Sequence, residues 1–276
     1  MQSQSTGSLA ASTVETGPVE VNFTDYGSGR PVLLLHGGAG VQSVSAFAES
    51  LSTESDVRVI VPTHPGFGRT SRPDSLRTIR ALAAVYIAVL DELDLHDVTV
   101  IGNSIGGWIA AEMAIVATPR IRDVVIVDAV GIEVAGHPVA DFFALTFPQI
   151  AELSYYDPER YRIDPRALPQ AAQAELAANR ATLATYAGEP SMVDPGLRAR
   201  LADVAIPTLV IWGDSDGIAD PDYGRAYAAA IPGARFQLLT NTGHLPQIES
   251  PGLLIEALAD FTLENFTLQD FTPTNS

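Results

Sequence analysis

The chain of 276 residues contains no cysteine, which excludes disulfides, thiolate nucleophiles and Cys-ligated metals while leaving the compartment open. Lysine is missing as well, since all 16 basic side chains are arginine, so chemistry that needs a side-chain amine, such as a Schiff base, has no donor. Positive charge is scarce against 33 carboxylates, and the formal charge of −17 with a pI near 4.5 repels polyanions; nucleic acid is excluded as a partner. No long apolar run exists. The richest, at 81–90 and 109–117, are broken or flanked by charges and too short to span a bilayer, so no membrane partner is expected. Residues 1–18 are rich in Ser, Thr, Gly and Gln, lack a basic end and an apolar core, and read as a flexible leader, not a secretory signal. A cytoplasmic protein is the default expectation.

What is present can bury a large core: 46% of residues are hydrophobic. Short β-rich runs occur at 19–25, 32–35, 57–61, 98–101, 124–127, 208–212 and 235–239, most of them continuously apolar, as strands covered on both faces must be. Helical patterns at 44–51, 76–93, 105–117, 223–230 and 253–261 alternate with them. That order predicts an α/β fold with a mostly parallel central sheet and helices on both faces. The alternation stops between Gly131 and Asp203, where Phe142, Phe143, Phe147, Tyr155, Tyr156 and Tyr161 precede an Ala-rich stretch at 171–186. The expected organisation is therefore a leader at 1–18, a core domain at 19–130 and 204–264, an inserted helical cap at 131–203 and a tail at 265–276. The tail repeats Asp-Phe-Thr-like units at five-residue spacing, too few to stack into a solenoid.

Ser104 stands in Gly102-Asn103-Ser104-Ile105-Gly106, directly after one predicted strand and before a predicted helix. A turn that tight admits only small neighbours and lifts the hydroxyl above the sheet, which makes Ser104 the candidate nucleophile. His36-Gly37-Gly38-Ala39-Gly40 follows an earlier strand; its Gly38 N–H, with that of Ile105, is the candidate oxyanion hole. No following Lys and no G-x-G-x-x-G spacing supports a phosphate loop instead. The turn Trp212-Gly213-Asp214-Ser215-Asp216-Gly217 offers Asp216 to orient an imidazole, with Asp214 as a turn former and Asp128, at the end of another strand, as the reserve acid. His244, in Thr242-Gly243-His244-Leu245-Pro246, completes the chain order Ser, Asp, His as the candidate base. His36, His64, His96 and His137 adjoin turns or helix ends and are read as structural.

Together these motifs resemble the α/β-hydrolase superfamily over residues 19–261, in its capped branch of small esterases, lactonases, C–C bond hydrolases and cofactor-free haloperoxidase-like enzymes. The run from Pro62 through His64 to Ser71 looks like that family's Asp-x-x-Gly-x-Gly-x-Ser loop, with His64 near the usual acidic position. Ser at 104 departs from epoxide hydrolases and haloalkane dehalogenases, whose likeness requires Asp there. Gly-Asn-Ser-x-Gly-Gly is similar to meta-cleavage hydrolases, yet Leu245 stands where they often carry Trp. Ala39 and His64-Pro65-Gly66 depart from proline iminopeptidases.

The expected function is a serine hydrolase that cleaves a carboxylic ester or lactone of a small to medium, largely apolar molecule through an acyl-enzyme. The partner is a small-molecule substrate, and no cofactor or metal is implied. C–C hydrolysis and a hydrolase-like receptor with little turnover are the alternatives.

Overall fold

The structure, a computed structural model, describes residues 10–269. Its strands are β1 (Ala10–Thr16), β2 (Val19–Gly27), β3 (Arg30–Leu35), β4 (Val57–Pro62), β5 (Val98–Asn103), β6 (Ile121–Val127), β7 (Thr208–Gly213) and β8 (Arg235–Leu239). They form one eight-stranded sheet in the order β1-β2-β4-β3-β5-β6-β7-β8. The β1–β2 and β2–β4 pairs are antiparallel; from β4 to β8 every pairing is parallel. Helices α1 (Gln42–Glu54), α2 (Ile79–Glu92) and α3 (Ile105–Val116) connect the strands up to β6. Between β6 and β7 lie α4 (Phe147–Ser154), α5 (Pro158–Tyr161), α6 (Gln170–Ala187) and α7 (Leu197–Arg200), and α8 (Pro221–Ala229), α9 (Pro246–Glu249) and α10 (Pro251–Gln269) follow.

The continuous apolar runs are explained by two cores, one on each face. Because successive side chains of a strand alternate sides, Leu33 and Leu35 of β3 join one cluster with residues of α2, α3 and α8, such as Leu82, Ile109 and Tyr227. Val32 and Leu34 join the other, with Val44 and Phe47 of α1 and Leu254 and Leu258 of α10. Thr78 caps α2, its side chain accepting from Ala81 N at 3.1 Å.

Two expectations about the chain ends are corrected. Residues 10–16 are not a loose leader: β1 pairs with β2 along its whole length, with Val14 opposite Val21. Its sequence offers Val14 as the one large apolar side chain, so composition concealed an edge strand. Residues 1–9 lie outside the described residues. At the other end α10 runs through Gln269 with no boundary at 264; the last part of the expected tail, 270–276, lies outside the described residues.

The segment between β6 and β7 folds over the C-terminal ends of the parallel strands, where the loops after β3, β5, β7 and β8 converge. Helix α6 is fastened there by three side chains. Asn179 Oδ1 accepts from Gly68 N at 2.9 Å, Thr182 Oγ1 donates to Gly66 O at 2.9 Å and Tyr186 OH donates to Pro65 O at 2.9 Å. Among the described residues, no helix is long and apolar enough to cross a membrane.

Candidate active site

Ser104 occupies the turn between β5 and α3 with φ 58° and ψ −120°, a region that side-chain-bearing residues seldom enter and that persists only where surroundings over-determine it. The surroundings here are backbone. A Cβ on Gly102 would sit 2.0 Å from the carbonyl oxygen of Gly106, and one on Gly106 would sit 2.3 Å from that of Leu35. Both glycines of the motif are thus required by the close approach of α3 to β5 and β3.

The loops after β7 and β8 bring the other two predicted groups to this hydroxyl. His244 Nε2 lies 3.0 Å from Ser104 Oγ, and His244 Nδ1 lies 2.8 Å from Asp216 Oδ2. Asp216 Oδ1 accepts from the N–H groups of Ile218 and Ala219 at 2.8 and 3.2 Å, so the carboxylate is held from behind while its other oxygen faces the imidazole. His244 and Asp216 are buried; Ser104 is half-buried and open to a cavity. Asp214 is a turn residue, its Oδ1 accepting from Ser215 Oγ and Thr242 N.

Gly38 and Ile105 border the same cavity beside Ser104. Ile105 is the first residue of α3, where an N–H has no intrahelical acceptor, and among the described residues neither its N–H nor that of Gly38 donates to another backbone carbonyl. Both residues thus border the cavity with a backbone N–H that has no backbone carbonyl acceptor among the described residues. The loop carrying Gly38 is braced from below by two buried histidines. His36 Nδ1 donates to Gly37 O at 2.7 Å and its Nε2 accepts from His64 N at 3.1 Å; His64 Nε2 donates to His36 O at 2.8 Å and its Nδ1 accepts from Tyr86 OH. Every ring nitrogen is used by a neutral tautomer. Burial lowers His36 to about 4, partly offset by its bond to Gly37, and burial followed by the neighbouring His36 holds His64 well below the usual range. His96 pairs with Asp94 and His137 with Asp220.

Sequence reasoning missed Asn103 and Gln247. Asn103 Nδ2 donates to His244 O at 3.0 Å and its Oδ1 accepts from Gln247 Nε2 at 3.2 Å, tying the nucleophile turn to the histidine loop. Their signal was a pair of amides inside otherwise apolar motifs, legible only once the two loops are known to meet.

The cavity, about 670 Å³, is lined mainly by apolar side chains including Val130, Phe142, Ile150, Leu176, Leu183 and Ile218. Its cationic side chains are engaged. Arg180 Nη2 donates to the carbonyls of Phe142, Phe143 and Leu145, and Arg162 pairs with Glu159 at 2.7 Å on the exposed rim. Of the arginines in the insertion, Arg160, Arg162 and Arg166 are exposed, whereas Arg180 is half-buried against Phe142 and Phe143.

A family model described as Alpha/beta hydrolase family matches residues 32–257. A 2-hydroxy-6-oxo-2,4-heptadienoate hydrolase of Pseudomonas putida is 28% identical over 274 residues, covering 90% of this chain and 94% of its own. Lipase 3 of a Moraxella species is 27% identical over 259 residues, covering 82% and 75%. Among solved structures, a thermophilic esterase from Thermogutta terrifontis aligns with a TM-score of 0.70 at 28% identity, covering 92% of this chain and 97% of that one.

Proposed function

The chain belongs to the alpha/beta hydrolase family, and from that premise we propose that it is a serine hydrolase cleaving carboxylic esters or lactones whose acyl and alcohol parts are uncharged and largely apolar. In this reading His244 takes the Ser104 proton, Ser104 Oγ attacks the acyl carbon, and the N–H groups of Gly38 and Ile105 receive the negative charge that develops on the carbonyl oxygen. The imidazolium then protonates the leaving alcohol. Asp216 holds Nδ1–H so that Nε2 is the accepting nitrogen, and it balances the imidazolium without taking the proton. Water repeats the sequence on the acyl-enzyme. The segment over Ser104 acts as a cap that surrounds the substrate.

The observation that carries the choice of substrate is the charge inventory of the cavity. Its two arginines are engaged by backbone carbonyls and by Glu159, whereas Glu175, also on the lining, has no ion-pair partner among the described residues. A substrate carboxylate would have to compete with these contacts for a guanidinium and would meet the charge of Glu175, and desolvating a charge that is imperfectly paired costs several kcal/mol.

The relationship to a 2-hydroxy-6-oxo-2,4-heptadienoate hydrolase favours a second reading, C–C bond cleavage of an anionic dienoate. The comparison that separates them is kcat/KM for a short-chain nitrophenyl ester against a vinylogous 1,5-diketone acid. The ester is expected to be preferred, and a clear preference for the diketone acid would overturn the proposal.

A further inference from the structure

Asp128 follows β6 with φ 44°, in left-handed backbone that a side-chain-bearing residue rarely adopts, and its side chain is fully buried beside the Asp216–His244 pair. One oxygen of Asp128, one of Asp216 and a ring nitrogen of His244 lie within 4.8 Å of one another. Two buried carboxylates this close cannot both carry charge at modest cost. Hydrogen-bond donors decide which of them does. Asp216 accepts from Ile218 N, Ala219 N and the imidazole, as an ionised carboxylate does. Asp128 Oδ1 accepts from Gly213 N at 2.8 Å, and among the described residues no donor reaches its Oδ2. As an anion Asp128 would leave that oxygen orphaned; as an acid it has a proton to give.

We propose that Asp128 is a neutral, proton-donating carboxyl that binds Asp216 and so positions the carboxylate against His244. The proposal rests on the triad reading above. It changes the standing of Asp128 from a reserve acid to a positioning residue that acts through Asp216. Burial, and then the charge of Asp216, hold the Asp128 carboxyl well above the usual carboxylate range against the opposing bond from Gly213. The remaining charged neighbour is Glu249, whose oxygens accept from Asp157 N and Gly243 N at 2.8 and 2.7 Å; as an anion it acts in the same direction. Nδ1 and Oδ2 at 2.8 Å stand at hydrogen-bond distance, shorter than the roughly 3.4 Å between two ligands of a tetrahedral zinc that holds each at about 2.0–2.2 Å.

An amide reproduces a protonated carboxyl, with one oxygen for Gly213 N–H and one N–H for Asp216. Asp128→Asn is therefore expected to keep kcat/KM within about threefold of the parent, with the acid limb of its pH profile in place, whereas Asp128→Leu, which removes both bonds, falls at least about tenfold. If Asp128 were ionised, the Asn variant would remove a charge beside the imidazole and move that limb to lower pH by about a unit; if Asp128 were the triad acid itself, the Asn variant would be inactive. Either result overturns the proposal.

A second readout is independent of catalysis and of the triad reading. Above the unfolded Asp value of about 3.9, unfolding the parent releases the Asp128 proton, so the parent loses stability with rising pH relative to Asp128→Asn. The difference in denaturation midpoint, variant minus parent, is expected to grow between pH 4 and pH 8; a difference independent of pH contradicts a neutral Asp128.

Discussion

Ser104 can hold its strained turn because the glycines beside it let three backbone segments meet, and that makes the site sensitive to single methyl groups. A Cβ at position 106 would lie 2.3 Å from the carbonyl oxygen of Leu35 and 2.7 Å from that of His36, both fixed in or beside a central strand. Gly106→Ala should therefore lower stability by about 3 kcal/mol or more, beyond the usual range for an overpacked site, read as a fall in the urea midpoint; an unchanged midpoint would contradict the close approach. At this scale the sequence was informative where chemistry is encoded in a local motif. Ser104, Asp216 and His244 each follow a strand whose apolar run marks its end, so their convergence could be expected. Asp128 was visible as a carboxylate after a strand, but its neutral state depends on Asp216, far away in the chain, and on how many donors each carboxylate meets.

Helix α6 is the element that joins the insertion to the oxyanion loop. Its residues Asn179, Leu183 and Tyr186 are buried and recur at helical spacing, so one face of the helix is pressed on the loops carrying Gly38, Pro65 and Gly68. Leu183 rests directly on Gly38: a Cβ there would lie 2.6 Å from Leu183 Cδ2, the far end of a flexible side chain. Gly38→Ala is expected to reduce kcat by about tenfold or more by tilting the N–H, and Leu183→Ala in the same chain should recover much of that loss, a coupling to be read from a double-mutant cycle. Additive effects would contradict the contact. The Ala-rich stretch announced the helix, but its polar alanine-glutamine-asparagine composition gave no sign of which face is buried. The edge strand β1 escaped for a similar reason, since pairing to β2, not apolar content, defines it.

The whole molecule carries two histidines that must stay neutral for the loop under Ser104 to close. Burial puts His36 at about 4 and His64 well below its ordinary value, while the unfolded rings titrate near ~6.5. The unfolded chain therefore binds protons that the folded chain refuses, so the stability linked to neutral rings is complete above about pH 6.5 and is lost as pH falls toward 4. Each ring contributes a slope of up to about 1.4 kcal/mol per pH unit in that window, opposed by the single proton that Asp128 keeps when folded. Denaturant titrations should show stability declining from pH 6.5 downward, and a double His36→Asn, His64→Asn variant, though less stable at neutral pH, should show a flatter decline; equal slopes would contradict neutral buried rings. The net charge of −17 opposes the long-range approach of anions in general. The proposed hydrolysis runs through Ser104, which treating the protein with a fluorophosphonate, mapping the adduct by peptide mass spectrometry and assaying ester turnover in parallel would test. Modification of the peptide bearing Ser104 is expected with concurrent loss of turnover, and Ser104→Ala is expected to be unlabelled and slower by about 10³-fold or more. An adduct on a different residue, or ester hydrolysis that survives Ser104→Ala, would contradict hydrolysis through Ser104.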